Sequence, residues 1–211
     1  MKNITDIAAA AREEFDKLTK IRDNALLQSR QLTRYAAHCI RAIHRNEYEL
    51  ADQILEDANN LVIEIKKDLA QYPQLYFAGY TQDAMKEYAE ACITSALIRN
   101  QSLPAPDQLG LEYATYLKGL AETIGELRRR ILDILRKGYS DEAERLLDCM
   151  DEIYTILVTI DYPDAITNGL RRQTDLVRGI LERTRGDLTM SLREQELQDS
   201  IRSYIERLPK N

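Results

Sequence analysis

The chain has 211 residues, 44% hydrophobic and 30% charged, a balance that supports a real core and fits one domain or two small ones. Its net charge of −6 argues against a generally basic, non-specific nucleic-acid binder, so any nucleic-acid site has to be local. No apolar run is long enough to span a bilayer, and the N-terminus has neither the apolar stretch nor the cleavage site of a signal peptide, which predicts a cytoplasmic protein with no membrane partner.

Only 8 glycines and 5 prolines punctuate a chain rich in Leu, Ala, Glu, Arg and Ile, side chains that lose little rotamer freedom in a helix. This predicts an all-α fold without strands. Apolar residues recur at helical spacing over 4–45, 48–71, 79–100, 111–137, 140–160, 163–184 and 188–207, about seven amphipathic helices in a single bundle spanning 1–211. Pro73, the pair Pro104 and Pro106, Pro163 and Pro209 mark breaks, because proline lacks the N–H that a helix interior needs. The stretch Gln101–Gly110 is the clearest loop. Helical patterning of the same kind resumes after it, so it is no interdomain linker. Tyr48–Leu61 and Ser140–Ile153 share an alanine and a paired apolar dipeptide at matching offsets, an echo better explained by common amphipathic grammar than by a repeat array. Cys39, Cys92 and Cys149 are far apart and set among apolar residues, which predicts buried reduced thiols rather than disulfides or zinc ligands.

On the first helix, Arg30, Arg34, His38, Arg41 and Arg45 fall within about 80° of one another, opposite Leu32, Cys39, Ile40 and Ile43. The stripe contains no acid. One sign of charge over four turns of an acidic protein suggests a track for phosphates, with a solvated or salt-bridged face as the plain alternative. Tyr72, Tyr76, Phe77, Tyr80 and Tyr88 gather before and within the next conspicuous helix, where they can stack on unpaired bases or serve as half-buried packing residues.

That helix carries Glu87 and Glu90, three residues apart and so on one face, together with Ala91, Thr94, Leu97 and Ile98. The acids therefore lie on the stripe the helix buries, and buried carboxylates need a cation. Glu122 and Glu126 share a face of the following helix, opposite Tyr113, Tyr116, Leu120, Ile124, Leu127 and Ile131. Gly119 and Gly125 flank that acidic face. Each costs about 1 kcal/mol relative to alanine inside a helix, so another backbone or a ligand is expected to approach there. Joined by one loop, the two helices are expected to be antiparallel neighbours, which can converge four carboxylates on a hard cation, Mg²⁺ or alternatively Mn²⁺, or can carry them as scattered surface charge. Such an ion can activate water and stabilise the leaving oxygen in phosphodiester cleavage. Arg128, Arg129 and Arg130 can add positive charge beside a scissile phosphate, although three successive residues cannot all point the same way. No Glu-x-x-His motif, Gly-rich phosphate loop or Gly-x-Ser-x-Gly elbow is present, which argues against di-iron, nucleotide-loop and serine-hydrolase chemistry.

The sequence resembles the translin superfamily, and within it the Trax branch. The resemblance rests on Lys86–Ala91 (KEYAEA), on Tyr116–Arg128 (YLKGLAETIGELR), on Ile21–Arg45 with its basic run ending in His44 and Arg45, and on Tyr162–Glu182. It covers nearly the whole chain. It implies a seven-helix fold, closed hollow homo-oligomers with an octamer as one size, an optional translin-like partner, and Mg²⁺-dependent endoribonuclease activity. It also implies that Glu87, Glu90, Glu122 and Glu126 form the catalytic metal site, facing the interior. Glutamate at position 122 departs from the aspartate common in Trax proteins, which changes reach by one methylene.

The leading expectation is thus an endoribonuclease acting on single-stranded RNA or RNA with unpaired stretches, held by Arg30, Arg34, His38, Arg41, Arg45 and Arg129. One alternative is a non-catalytic translin-like shell protein that only binds nucleic acid. Another, an all-α nucleotide pyrophosphatase, is disfavoured because its second acidic pair is spaced by three residues, not four.

Overall fold

A computed structural model describes residues 3–207, and every regular element among them is a helix. In chain order these are α1 (Ile4–His44), α2 (Tyr48–Asp68), α3 (Pro73–Tyr76), α4 (Gly79–Ile98), α5 (Pro106–Leu109), α6 (Tyr113–Leu135), α7 (Asp141–Thr159), α8 (Asp164–Thr167) and α9 (Leu170–Glu206). The five expected helices up to residue 160 are present within a few residues of their expected ends. α3 and α5 are single turns opened by Pro73 and Pro106, each at the first helical position, where the missing N–H has no partner to lose. α7 starts on a Ser140 cap that accepts from the Glu142 N–H, followed by Asp141, Glu142 and Glu144 in the dipole-favoured first turn.

The last third differs from expectation. The helices expected over 163–184 and 188–207 are one continuous helix, α9, and it begins only at Leu170. Pro163 starts the one-turn α8, which Asn168 (φ 53°) and Gly169 (φ 84°) end in left-handed conformations. Gly186 is too weak a breaker to split α9, because Thr184 and Leu188 on either side of it are buried against the bundle. Pro209 lies outside the described residues.

Contacts along the helices give their directions. Gln28 donates to Asp68 at 2.9 Å, and the Cys39 thiol faces the Ala51 carbonyl, so α1 and α2 are antiparallel. The Tyr88 hydroxyl donates to Asn59 and Arg99 pairs with Asp52, so α4 runs antiparallel to α2 and parallel to α1. Thr115 bonds Gln82 and Gly119 meets Lys86, Ala89 and Glu90, so α6 runs parallel to α4, not antiparallel as expected. The reason is the connection. Residues 99–112, with α5 inside them, can span about 39 Å, more than the length of about 30 Å of a 20-residue helix, so the loop carries the chain back to the starting end. Lys66 near the end of α2 holds the returning loop through the Gly110 carbonyl at 2.7 Å.

α4 is the central helix, packed by α1, α2 and α6. Alanines at 84, 89, 91 and 96 let its neighbours come close, and Met85 and Ile93 fill the core with Leu32, Ile43, Ile65, Ile124 and Leu127. Each such side chain contributes about 1.5–3 kcal/mol by leaving water. Cys39 and Cys92 are buried, Cys149 is half-buried, and all three are free thiols. Burial pushes Cys39 and Cys92 up to about 12, which makes them inert. The two longest helices overhang the bundle at opposite ends. Ala25 is the first buried residue of α1 and Leu188 the last of α9, leaving Ile4, Ile7, Phe15, Leu197, Ile201 and Tyr204 exposed. No helix of the described residues is long and apolar enough to cross a membrane.

Candidate functional site

The acidic group sits midway along the contact of α4 and α6, where Gly119 removes the barrier to close approach. A Cβ at Gly119 would lie 2.6 Å from the Ala89 Cβ, 2.9 Å from the Lys86 carbonyl oxygen and 3.0 Å from the Glu90 nitrogen. Another backbone therefore occupies the space that glycine leaves open. Gly125, the other glycine of this face, is exposed with no atom of the described residues near its missing Cβ. The close approach expected there is not made among the described residues.

Glu87, Glu90 and Glu122 each bring a carboxylate oxygen into one group, all within 4.8 Å of one another. Glu90 projects from the central helix and is only 9% exposed. It makes no ion pair among the described residues. Burial first, then the charges of Glu87, Glu122 and Glu126, push its carboxyl up to about 8. Glu122 is held from two sides, by Lys86 Nζ at 2.6 Å on Oε2 and by the Gln173 amide of α9 at 3.0 Å on Oε1. Lys86 Nζ also lies 3.3 Å from Glu87 Oε1. Burial works against the Lys86 ammonium, but hydrogen bonding and charge attraction from Glu122 and then Glu87 outweigh it and raise its pKa.

Glu126 stands beside this group. Its Oε2 is 2.6 Å from His44 Nε2, the last residue of α1, and 3.5 Å from Arg129. The His44 hydrogen bond is the main cause that holds the Glu126 carboxyl below the usual carboxylate range, with burial opposing it. An ionised carboxylate only accepts, so Nε2 carries the proton of that bond. His44 Nδ1 is buried with no partner among the described residues.

Arg30, Arg34, His38, Arg41 and Arg45 are all exposed and pair with no acid among the described residues. His44 lies about 40° around α1 from Arg30, so the basic stripe runs beside the face that meets Glu126. The three successive arginines diverge, Arg128 to Thr184 and Asp187, Arg129 to Glu126, and Arg130 to Glu142 and Asn46. The aromatics before the acids are mainly packing residues. Tyr72, Tyr76 and Tyr80 are half-buried and Tyr88 is buried, while Phe77 is exposed.

Lys86, His44 and Gln173 are the site residues that sequence reasoning did not assign. Lys86 was visible as the lysine before Glu87, and His44 as the histidine closing the basic run. Nothing in the pattern of α9 pointed to Gln173, whose contact with Glu122 depends on tertiary packing.

The donor set suits a hard divalent cation. Three carboxylate oxygens converge, one of them buried and in no ion pair, and among the described residues no thiol or imidazole joins them.

No family model matches the sequence. The chain is 32% identical to the crystal structure of AfC3PO, with a TM-score of 0.80 over 87% of this chain and 96% of that one. It is 31% identical to AfC3PO in a complex with duplex RNA, with a TM-score of 0.78 over 87% and 95% of the two chains. Apo-NeC3PO, 24% identical, shares the fold with a TM-score of 0.79 over 90% and 98%. The uncharacterised protein MJ0175 of Methanocaldococcus jannaschii is 32% identical over 185 residues, 86% of this chain and 81% of its own length. The chain belongs to the translin superfamily, with the C3PO proteins.

Proposed function

We propose that this chain is a Trax-type catalytic member of its superfamily, an endoribonuclease that uses Mg²⁺, or Mn²⁺ in its place, within a closed homo-oligomer. The observation that carries this reading is the three-oxygen group of Glu87, Glu90 and Glu122, with Glu90 buried and unpaired. An acidic group that served only as surface charge would not face inward from the central helix of the bundle. Bound there, the cation would supply Lewis-acid polarisation of a phosphodiester and charge neutralisation of the departing oxygen.

The chain's own residues take the remaining parts. Glu87, Glu90 and Glu122 hold the cation, with Gln173 fixing the orientation of Glu122. Glu126, kept ionised by His44, has its Oε1 free to accept a proton from attacking water, since both of its hydrogen bonds fall on Oε2. Arg30, Arg34, His38, Arg41 and Arg45 follow the phosphates of a strand along α1, and Arg129 adds charge next to the acids. Oligomerisation is supported by the exposed apolar residues of the two overhangs, which a single chain leaves uncovered.

RNA is the substrate favoured by the relative that was solved with duplex RNA. Single strands and strands with unpaired stretches fit an inward-facing site, and that relative makes short duplexes a second form to assay. Labelled single-stranded RNA and short duplex, incubated with the assembled protein, should be cut with Mg²⁺ and left intact with EDTA. Binding with no divalent-dependent cleavage would instead assign a shell protein that only holds nucleic acid.

A further inference from the structure

Lys86 occupies an unusual place for a lysine. It stands immediately before Glu87 on the central helix, and its side chain is only 13% exposed. Instead of extending to water, the chain folds over the acidic group, placing Nζ 2.6 Å from Glu122 Oε2 and 3.3 Å from Glu87 Oε1. Two of the three converging carboxylates thus already share a cation supplied by the protein itself. An ammonium offers three donors and one positive charge, which satisfies two carboxylates but leaves Glu90 without a partner. A divalent ion would satisfy all three. An ammonium and a divalent ion held a few ångströms apart on the same carboxylates repel each other, so each weakens the binding of the other.

We propose that Lys86 is an intramolecular competitor of the divalent cation, neutralising Glu87 and Glu122 in the metal-free protein and leaving them when the ion binds. This inference rests on the proposed metal site and adds a regulation of it. The tethered ammonium keeps the helices α4 and α6 together when metal is scarce and sets the ion concentration at which the site fills.

The test is a direct Mn²⁺ titration of the full-length, RNA-free protein, followed by the electron paramagnetic resonance signal of the free ion. Lys86→Met keeps the stem and removes the charge, and it should bind Mn²⁺ about tenfold more tightly than wild type, the scale of one charge-assisted contact. Lys86→Gln, as a second variant, should tighten binding in the same direction. Lys86→Arg, which keeps the charge, should not. In wild-type protein, amine acylation read by mass spectrometry should label Lys86 faster at saturating Mg²⁺ than in EDTA. Equal or weaker Mn²⁺ binding by the charge-free variants, or labelling that does not rise with Mg²⁺, would overturn the role of Lys86 while leaving the metal site standing. Absence of Mn²⁺ binding by every protein, wild type included, would overturn the metal site and this inference with it.

Discussion

Replacing Gly119 with alanine tests the spacing of α4 and α6 on which the acidic group depends. The new Cβ would meet the Ala89 Cβ at 2.6 Å, the Lys86 carbonyl oxygen at 2.9 Å and the Glu90 nitrogen at 3.0 Å. Two of these atoms are backbone and the third is a methyl with no rotamer to adopt, so the helices have to separate. Helix propensity alone favours alanine by about 1 kcal/mol. Overpacking typically costs about 1–3 kcal/mol, and rigid neighbours put this site at the upper end. The net loss is about 1–2 kcal/mol, a fall in Tm of about 2–8 °C for a chain of this size. The same separation draws Glu122 away from Glu87 and Glu90, so Mn²⁺ affinity should fall with stability. Thermal melts by circular dichroism, paired with Mn²⁺ titration, measure both. A variant as stable as wild type, with unchanged affinity, would refute the claim that close backbone contact builds the site.

Gly125→Ala is the matched control: its Cβ meets nothing among the described residues, so melting should show up to about 1 kcal/mol of gain unless a neighbouring subunit approaches there. The pH dependence of the metal-free protein follows Glu90, whose folded pKa of about 8 lies above the ordinary 4.5. Its contribution is complete below about 4.5 and is lost as pH rises through about 8, so Tm in EDTA should fall across that window, and Glu90→Gln should flatten the fall. Glu126 works in the opposite sense: its lowered pKa makes the His44 bond stabilising at neutral pH and lost in acid, and His44→Ala should cost about 1–3 kcal/mol at pH 7 in a denaturant titration. Arg34→Glu and Arg41→Glu should each weaken RNA binding and reduce the slope of log affinity on log salt by about 0.7 for a single strand; an unchanged slope would make the stripe a solvated face only.

Much of this architecture was legible because it is written in local pattern. The period of apolar residues gave five helices nearly to their ends, and the stripe from Arg30 to Arg45 is exposed opposite Leu32 and Ile43 as its angular spacing required. The three-residue spacing of Glu87 and Glu90 put both on one face, where Glu90 is buried and Glu87 partly exposed, and Gly119 pointed to the close approach of a backbone or a ligand, which is the α4 backbone. What was not legible depends on the path of the chain. A proline-containing connection predicts a loop but not that it runs back along the bundle, so the parallel direction of α4 and α6 was missed. The break expected between residues 184 and 188 is absent, because Thr184 and Leu188 both pack against the bundle. The contacts of His44 with Glu126, and of Gln173 with Glu122, join residues 82 and 51 positions apart and leave no trace in periodicity.

We propose that Glu87, Glu90, Glu122 and Glu126 cut RNA with a divalent cation. The most direct test of this is single-turnover cleavage of one labelled RNA by wild type, Glu90→Gln and Glu126→Gln at limiting Mg²⁺, with RNA affinity and helical content measured on the same samples. Both variants should keep their fold and bind RNA as wild type does, while cleavage is abolished. Cleavage at the wild-type rate by either variant under those conditions would contradict it.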